Sequence, residues 1–194
     1  GGRGALESLA DAGLVVTGRA RPAGFPELIV LTDARSPWED APRVFGPQKG
    51  ASPAAVKRLE AAMAKQAEGM RKDPCGIDRT GGAGGLAGAL WSECGAELVA
   101  GAPWVMNEVG FDRRMRASRS VIVGEGRLDS STLLGKAPGE AATRARQAGF
   151  GCAAVCGANA LDPMEERILD LQVVIEATTL AELRAAGAKL AALI

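Results

Sequence analysis

Over its last third the chain repeats one pattern, and that pattern restricts the fold more than anything else in it. Short apolar runs at 120–123, 152–156 and 172–176 alternate with helical segments at 138–148, 163–169 and 180–193. The runs are nearly continuous in apolar residues rather than alternating. Such runs suit strands covered on both faces, which is where parallel sheets sit. Gly149 supplies a stop for the first of these helices. The reading is βαβαβα, an α/β, parallel-sheet fold with right-handed crossovers.

The upstream part is less regular. Residues 4–12 are expected to form a short helix, and 28–33 a buried strand that ends in Asp33. Residues 34–51 are rich in Gly and Pro and read as a long loop, a length that more often serves function than mere connection. Ser52 then offers an N-cap and Pro53 a first helical position. Val56, Leu59, Met63 and Met70 recur at helical spacing, with Met63 and Met70 as core residues, and Asp73-Pro74 closes the helix. A linker at 75–82 precedes a second helical run from about Gly84 to Leu98, in which Trp91 packs at the surface. A short helix is expected at 103–109, with Trp104 in the same role. A boundary near Ala117 divides the chain into two α/β domains or lobes, 1–117 and 118–194, with a cleft between them.

Composition removes whole classes of chemistry. There is no histidine, so Ser-His-Asp and Cys-His catalysis, imidazole acid–base work and most zinc sites are excluded. Lys plus Arg and Asp plus Glu each total 23, so no net charge draws the chain to nucleic acid or to an anionic membrane. Aromatic residues make up 4% with no tyrosine, which argues against base-stacking platforms. No apolar run approaches the about 18 residues a membrane span needs. Of the cysteines, Cys152 and Cys156 lie in an apolar run and read as inert buried thiols. A reducing cytoplasm is the expected setting.

In open parallel sheets, ligands bind beyond the carboxyl ends of strands, and three loops occupy that position. The first is Gly124-Glu125-Gly126-Arg127-Leu128-Asp129-Ser130-Ser131-Thr132, followed by Gly135-Lys136. Gly126 lets backbone N–H groups approach an anion. Arg127 and Lys136 supply positive charge, and Glu125 and Asp129 can hold Mg²⁺ or accept a hydroxyl proton. It is not a Walker A loop, since Ser130 stands where the first glycine belongs and Ala137 replaces the Ser/Thr. The second pairs Asp33, a base or metal ligand at a strand end, with Lys49 ahead of a helix start. The third is the run from Gly81 to Gly85, whose amides can cradle phosphate or carboxylate at a helix opening, or else allow tight packing.

These loops resemble the bacterial type of glycerate kinase. The matching stretches are Val44-Phe45-Gly46-Pro47-Gln48-Lys49-Gly50-Ala51, Gly82-Ala83-Gly84-Gly85-Leu86, Gly124-Glu125-Gly126-Arg127-Leu128-Asp129-Ser130 and Gly135-Lys136-Ala137-Pro138, in the family's order. The weaker flanking match spans roughly residues 28–160. Where the family usually has Asn-Pro after the strand-end acid, this chain has Ser36-Pro37.

The resemblance implies transfer of the γ-phosphoryl of ATP, with Mg²⁺, to D-glycerate, giving 2-phosphoglycerate. It implies two α/β domains, one inserted in the other, with 1–117 in the inserted domain and 118–194 as the returning half of the outer one. Family members are longer, so the expectation is a chain lacking the family's N-terminal part. Under this reading Asp33 or Asp129 is the base, and Glu125 and Asp129 bind the metal. Arg127, Lys49 and Lys136 neutralise charge, and Gly82, Gly84, Gly85 and Gly126 give backbone contacts. The alternative reading is a non-catalytic homologue that binds phosphate or carboxylate ligands. The expected partner is the small-molecule substrate, with neither nucleic acid nor membrane, and the sequence leaves room for a homo-oligomer.

Overall fold

A computed structural model describes residues 26–193. The helix expected at 4–12 lies outside them. The chain divides into two compact units between Gly101 and Ala102. That division precedes Ala117, because Met106 and Met115 are already buried in the core of the second unit.

The first unit has a two-stranded parallel sheet, β1 (Ile29–Thr32) and β2 (Glu97–Ala100), in register from Ile29↔Glu97 to Thr32↔Ala100. The run at 28–33 is a strand as expected, but it is not buried. Ile29 and Leu31, on one face, are 50% and 40% exposed. The expected loop at 34–51 is largely built from short helical pieces. A 3₁₀ turn at Trp38–Asp40 leads into α1 (Ala41–Phe45), and a second 3₁₀ turn follows at Pro47–Lys49. Trp38 anchors them, since it is 2% exposed and its indole Nε1–H donates to the Met63 carbonyl at 2.9 Å. An apolar ring with a satisfied N–H is a strong local fixed point.

Helix α2 (Pro53–Glu68) starts as its sequence dictates: Ser52 Oγ accepts the Ala55 N–H at 3.2 Å, and Pro53 sits at the first position. Its buried stripe is Ala55, Leu59, Met63 and Ala67. The helix ends at Glu68 with Gly69 as cap, ahead of Asp73-Pro74. The second helical run is also shorter than its pattern suggests. Helix α3 (Leu86–Cys94) is stopped by Gly95 in the left-handed region, φ 67°. β2 then begins, so what reads as the end of a helix is in part a strand.

The second unit carries the βαβαβα pattern. Strands β3 (Val121–Leu128), β4 (Cys152–Asn159) and β5 (Leu171–Glu176) form a parallel sheet in that order. Around it lie α4 (Gly101–Glu108), whose first residue belongs to the first unit, α5 (Phe111–Arg116), α6 (Ala137–Ala148), α7 (Pro163–Leu169) and α8 (Leu180–Leu193). Gly149 ends α6 at φ 75°, as the sequence indicates. The core joins Val121, Val123 and Leu128 to Ala141, Ala142 and Ala145 of α6, and buries Cys152 and Cys156. β3 is longer than its apolar run. It continues through the glycines to Leu128 because β4 supplies a partner as far as Asn159. Gly157 permits the close approach: a Cβ there would lie 2.5 Å from the Gly126 carbonyl oxygen.

Candidate active site

In the second unit, four of the charged residues singled out in the sequence are joined by direct contacts at the carboxyl end of β3. Glu125 and Arg127 are strand residues, not loop residues. Asp129 follows in an extended conformation and caps a 3₁₀ turn, Ser130–Leu134. Its Oδ1 accepts the Ser131 N–H at 3.0 Å and a short bond from the Ser131 hydroxyl. The Asp129 N–H in turn donates to Thr132 Oγ1 at 3.3 Å, completing a capping box. Thr132 Oγ1 also donates to Glu125 Oε2 at 3.3 Å. Lys136 Nζ reaches Glu125 Oε1 at 3.3 Å, and Arg127 Nε lies 3.7 Å from Asp129 Oδ2. Gly135, at φ 101°, turns the chain so that Lys136 comes back to this edge.

The Ser131 hydroxyl bond is the largest influence on the Asp129 carboxyl. It holds the group below the ordinary carboxylate range, with help from the Ser131 amide and then from Lys136 and Arg127, against a burial effect that opposes it. Asp129 is therefore an anion at neutral pH and a weak proton acceptor. It pairs with the Arg127 guanidinium.

Two residues that the sequence reading did not single out hold this turn in place. Thr132 is fully buried. Gly139, in the first turn of α6, gives the turn its seat, since a Cβ there would lie 2.0 Å from the Thr132 carbonyl oxygen. The signal available was a glycine inside a helix, which tends to mark close packing. Gly126 is different: a Cβ there would meet nothing within 4 Å, so neither packing nor a positive φ demands glycine.

In the first unit Asp33 directly follows β1 and is exposed. Its Oδ1 would lie 3.0 Å from a Cβ on Gly101, so a glycine at the end of β2 leaves room for the carboxylate. The glycine run forms a left-handed turn, with Ala83, Gly84 and Gly85 at φ 51°, 69° and 96°. Gly82, Gly84 and Gly85 are buried. The Gly82 N–H is bonded to the Arg79 carbonyl and the Gly85 N–H to the Gly81 carbonyl. Their visible work is packing: a Cβ on Gly82 would lie 2.7 Å from Thr32 Oγ1, and one on Gly85 2.8 Å from the Trp38 ring. Lys49 is exposed at the end of its 3₁₀ turn.

Magnesium asks for hard oxygen donors, but few from protein, because it keeps waters and takes phosphate oxygens. Among the described residues no group of three or more His, Cys, Asp or Glu could form a metal cage. Glu125 on β3 and Asp129 at the cap of the following turn are linked through Thr132, and two carboxylates fit a metal that keeps most of its waters.

Parallel sheets flanked by helices make this an α/β protein, a class whose ligands bind beyond the carboxyl ends of the strands. A sequence profile described as the glycerate kinase family matches residues 3–191, and the chain belongs to that family. Among its relatives, glycerate 2-kinase of Escherichia coli (strain K12) is 38% identical over 102 residues, 50% of this chain and 27% of the relative. The glycerate kinase of Bacillus subtilis (strain 168) is 36% identical over 147 residues, 71% of this chain and 37% of the relative. A solved structure described as a glycerate kinase 2, from Salmonella typhimurium LT2, matches with a TM-score of 0.54 and 28% identity, covering 87% of this chain and 50% of that one. The chain thus spans about a third of the length of these curated relatives and half of the solved one.

Proposed function

We propose that this chain serves an ATP-dependent kinase that phosphorylates D-glycerate to 2-phosphoglycerate. Family membership supports the reaction class, and the bonded cluster of Glu125, Arg127, Asp129 and Lys136 at the end of β3 is the observation that carries it. Phosphoryl transfer needs alignment and charge neutralisation more than covalent help. A glycerate hydroxyl oxygen bonds to the γ-phosphorus, the bond from that phosphorus to the β–γ bridging oxygen breaks, and the hydroxyl proton passes to a carboxylate.

Asp33 is our assignment for that proton acceptor, because the bonds on Asp129 make it a poor base. Asp129 and Glu125 would hold Mg²⁺, which when bound neutralises phosphate charge. Arg127, Lys136 and Lys49 would balance phosphate or substrate carboxylate. The open space over Gly126 supports a ligand lying against the β3 backbone. For the glycine run, the packing contacts favour a supporting role at the end of β1 over direct phosphate binding by Gly82 and Gly85; Gly84 remains our candidate there. No described helix is long and apolar enough to cross a membrane, and a small polar acid as substrate fits a cytoplasmic setting.

The test is a coupled ADP-release assay with D-glycerate and Mg·ATP, with phosphorus NMR to identify the product. Asp129→Ala is expected to lower kcat by about two orders of magnitude or more. Near-wild-type turnover refutes the assignment. Calorimetric binding of Mg·ATP or D-glycerate without any turnover favours a binding protein instead.

A further inference from the structure

Arg79 lies outside every motif considered above, yet the structure ties it to the strand end that carries Asp33. It holds a left-handed backbone, φ 72°, a conformation that side-chain-bearing residues rarely adopt. Two bonds run from it. Its guanidinium Nη1–H donates to the Thr32 carbonyl at 2.9 Å, and its own amide donates to the Arg35 carbonyl at 3.2 Å. Thr32 and Arg35 bracket Asp33 and Ala34, so one residue grips the chain on both sides of the carboxylate.

Its neighbours extend the grip. The Gly81 N–H donates to the Ser36 carbonyl at 2.9 Å, and Gly82 leaves just enough room for Thr32 Oγ1. That hydroxyl accepts the Ala34 N–H at 3.2 Å. The segment is itself held rigidly. Thr80 is fully buried, and its hydroxyl lies within bonding distance of the carbonyls of Pro74 and Ile77, at 2.8 and 2.6 Å. A strained backbone persists where its surroundings over-determine it, and such positions gather at functional sites. Here the same residue places its guanidinium on the last carbonyl of β1.

We propose that Arg79 is a positioning residue for Asp33: it fixes the direction in which the carboxylate leaves β1. The proposal rests on the reading of Asp33 as proton acceptor, and the variants separate the two. Arg79→Gly keeps the left-handed backbone at little steric cost and removes the side chain, guanidinium included, while leaving the bond from the residue 79 amide to the Arg35 carbonyl in place. Arg79→Asn tolerates the same backbone and is too short to reach Thr32, which guards against a folding defect in the glycine variant.

In the full chain, assayed with D-glycerate and Mg·ATP, both variants are expected to melt within a few degrees of wild type. Both should lower kcat by about tenfold to a hundredfold, the range a misplaced group costs, with KM for ATP within about twofold. Added to Asp33→Asn, Arg79→Gly should lower kcat by less than about twofold further, because both act through one group. Wild-type kcat in folded Arg79 variants, with Asp33→Asn impaired, overturns the positioning role alone. Losses that multiply in the double variant also overturn it. Wild-type kcat in Asp33→Asn removes the proton-acceptor reading, and the Arg79 proposal with it.

Discussion

Asp129 does two jobs that substitution can separate. As an N-cap it satisfies amides of the Ser130–Leu134 turn, and as an anion it faces Arg127 and Lys136. Asparagine caps about as well as aspartate, whereas alanine forfeits roughly 0.5–2 kcal/mol. Asp129→Asn should therefore keep the cap and be destabilised less than Asp129→Ala at neutral pH, yet lose most activity as Asp129→Ala does. The pH dependence has a definite sign. The folded-state pKa is depressed, so the ionised side chain contributes stability above the ordinary aspartate range, and that contribution is lost as pH falls through the folded value. The stability gap between wild type and Asp129→Asn should shrink on acidification, measured by urea titration from pH 7 downward.

Cys152 is an independent check at the same scale. Burial, and secondarily the charge of Asp170, pushes its thiol up to about 11. The thiolate is the reactive form, so native protein at pH 8 should leave Cys152 unlabelled by iodoacetamide, and urea should expose it. Rapid labelling of the folded chain contradicts the packing described here.

Among the elements, the turn between β3 and α6 depends on two glycines of opposite kind. Gly139 is a steric necessity, because the Thr132 carbonyl occupies the space of its missing Cβ. Gly139→Ala forces the turn and helix apart and should cost roughly 1–3 kcal/mol, the usual range for overpacking, read by thermal or urea unfolding. Gly126 has open space instead. Gly126→Ala should fold at least as well as wild type, since it restricts the unfolded chain, yet raise KM for ATP or glycerate if a ligand lies against β3. Unchanged kinetics in that variant removes Gly126 from the site.

The same contrast shows what kind of pattern can be read without coordinates. Ser52 and Pro53 announce the start of α2 through purely local bonds. The end of α3 and the start of β2 are not so announced, because the helical spacing of apolar residues runs on past Gly95 and only pairing with β1 makes 97–100 a strand. The glycine run could be read for phosphate or for packing. Its packing role is visible only once Trp38, far away in sequence, is found against Gly85.

For the whole molecule, the proposed activity makes a thermodynamic demand. A ligand that binds only the folded chain stabilises it by roughly 2.7 kcal/mol at about 100 times Kd. Mg·ATP and D-glycerate should each raise the melting temperature, and Asp129→Ala should blunt the Mg·ATP effect. An unchanged melting point with both ligands speaks against a binding role of either kind.

The sequence by itself determined the parallel α/β class, the alternation of strands and helices over 120–193, and the residue types gathered near β3, because periodicity, caps and motif strings are local properties of the chain. Only the tertiary structure decided that β3 runs on through Glu125 and Arg127, that Asp129 is held by Ser131 and paired with Arg127, and that Arg79 grips the end of β1. Those outcomes depend on which distant backbone supplies a hydrogen-bond partner or fills a missing side chain's space, and no local pattern encodes that.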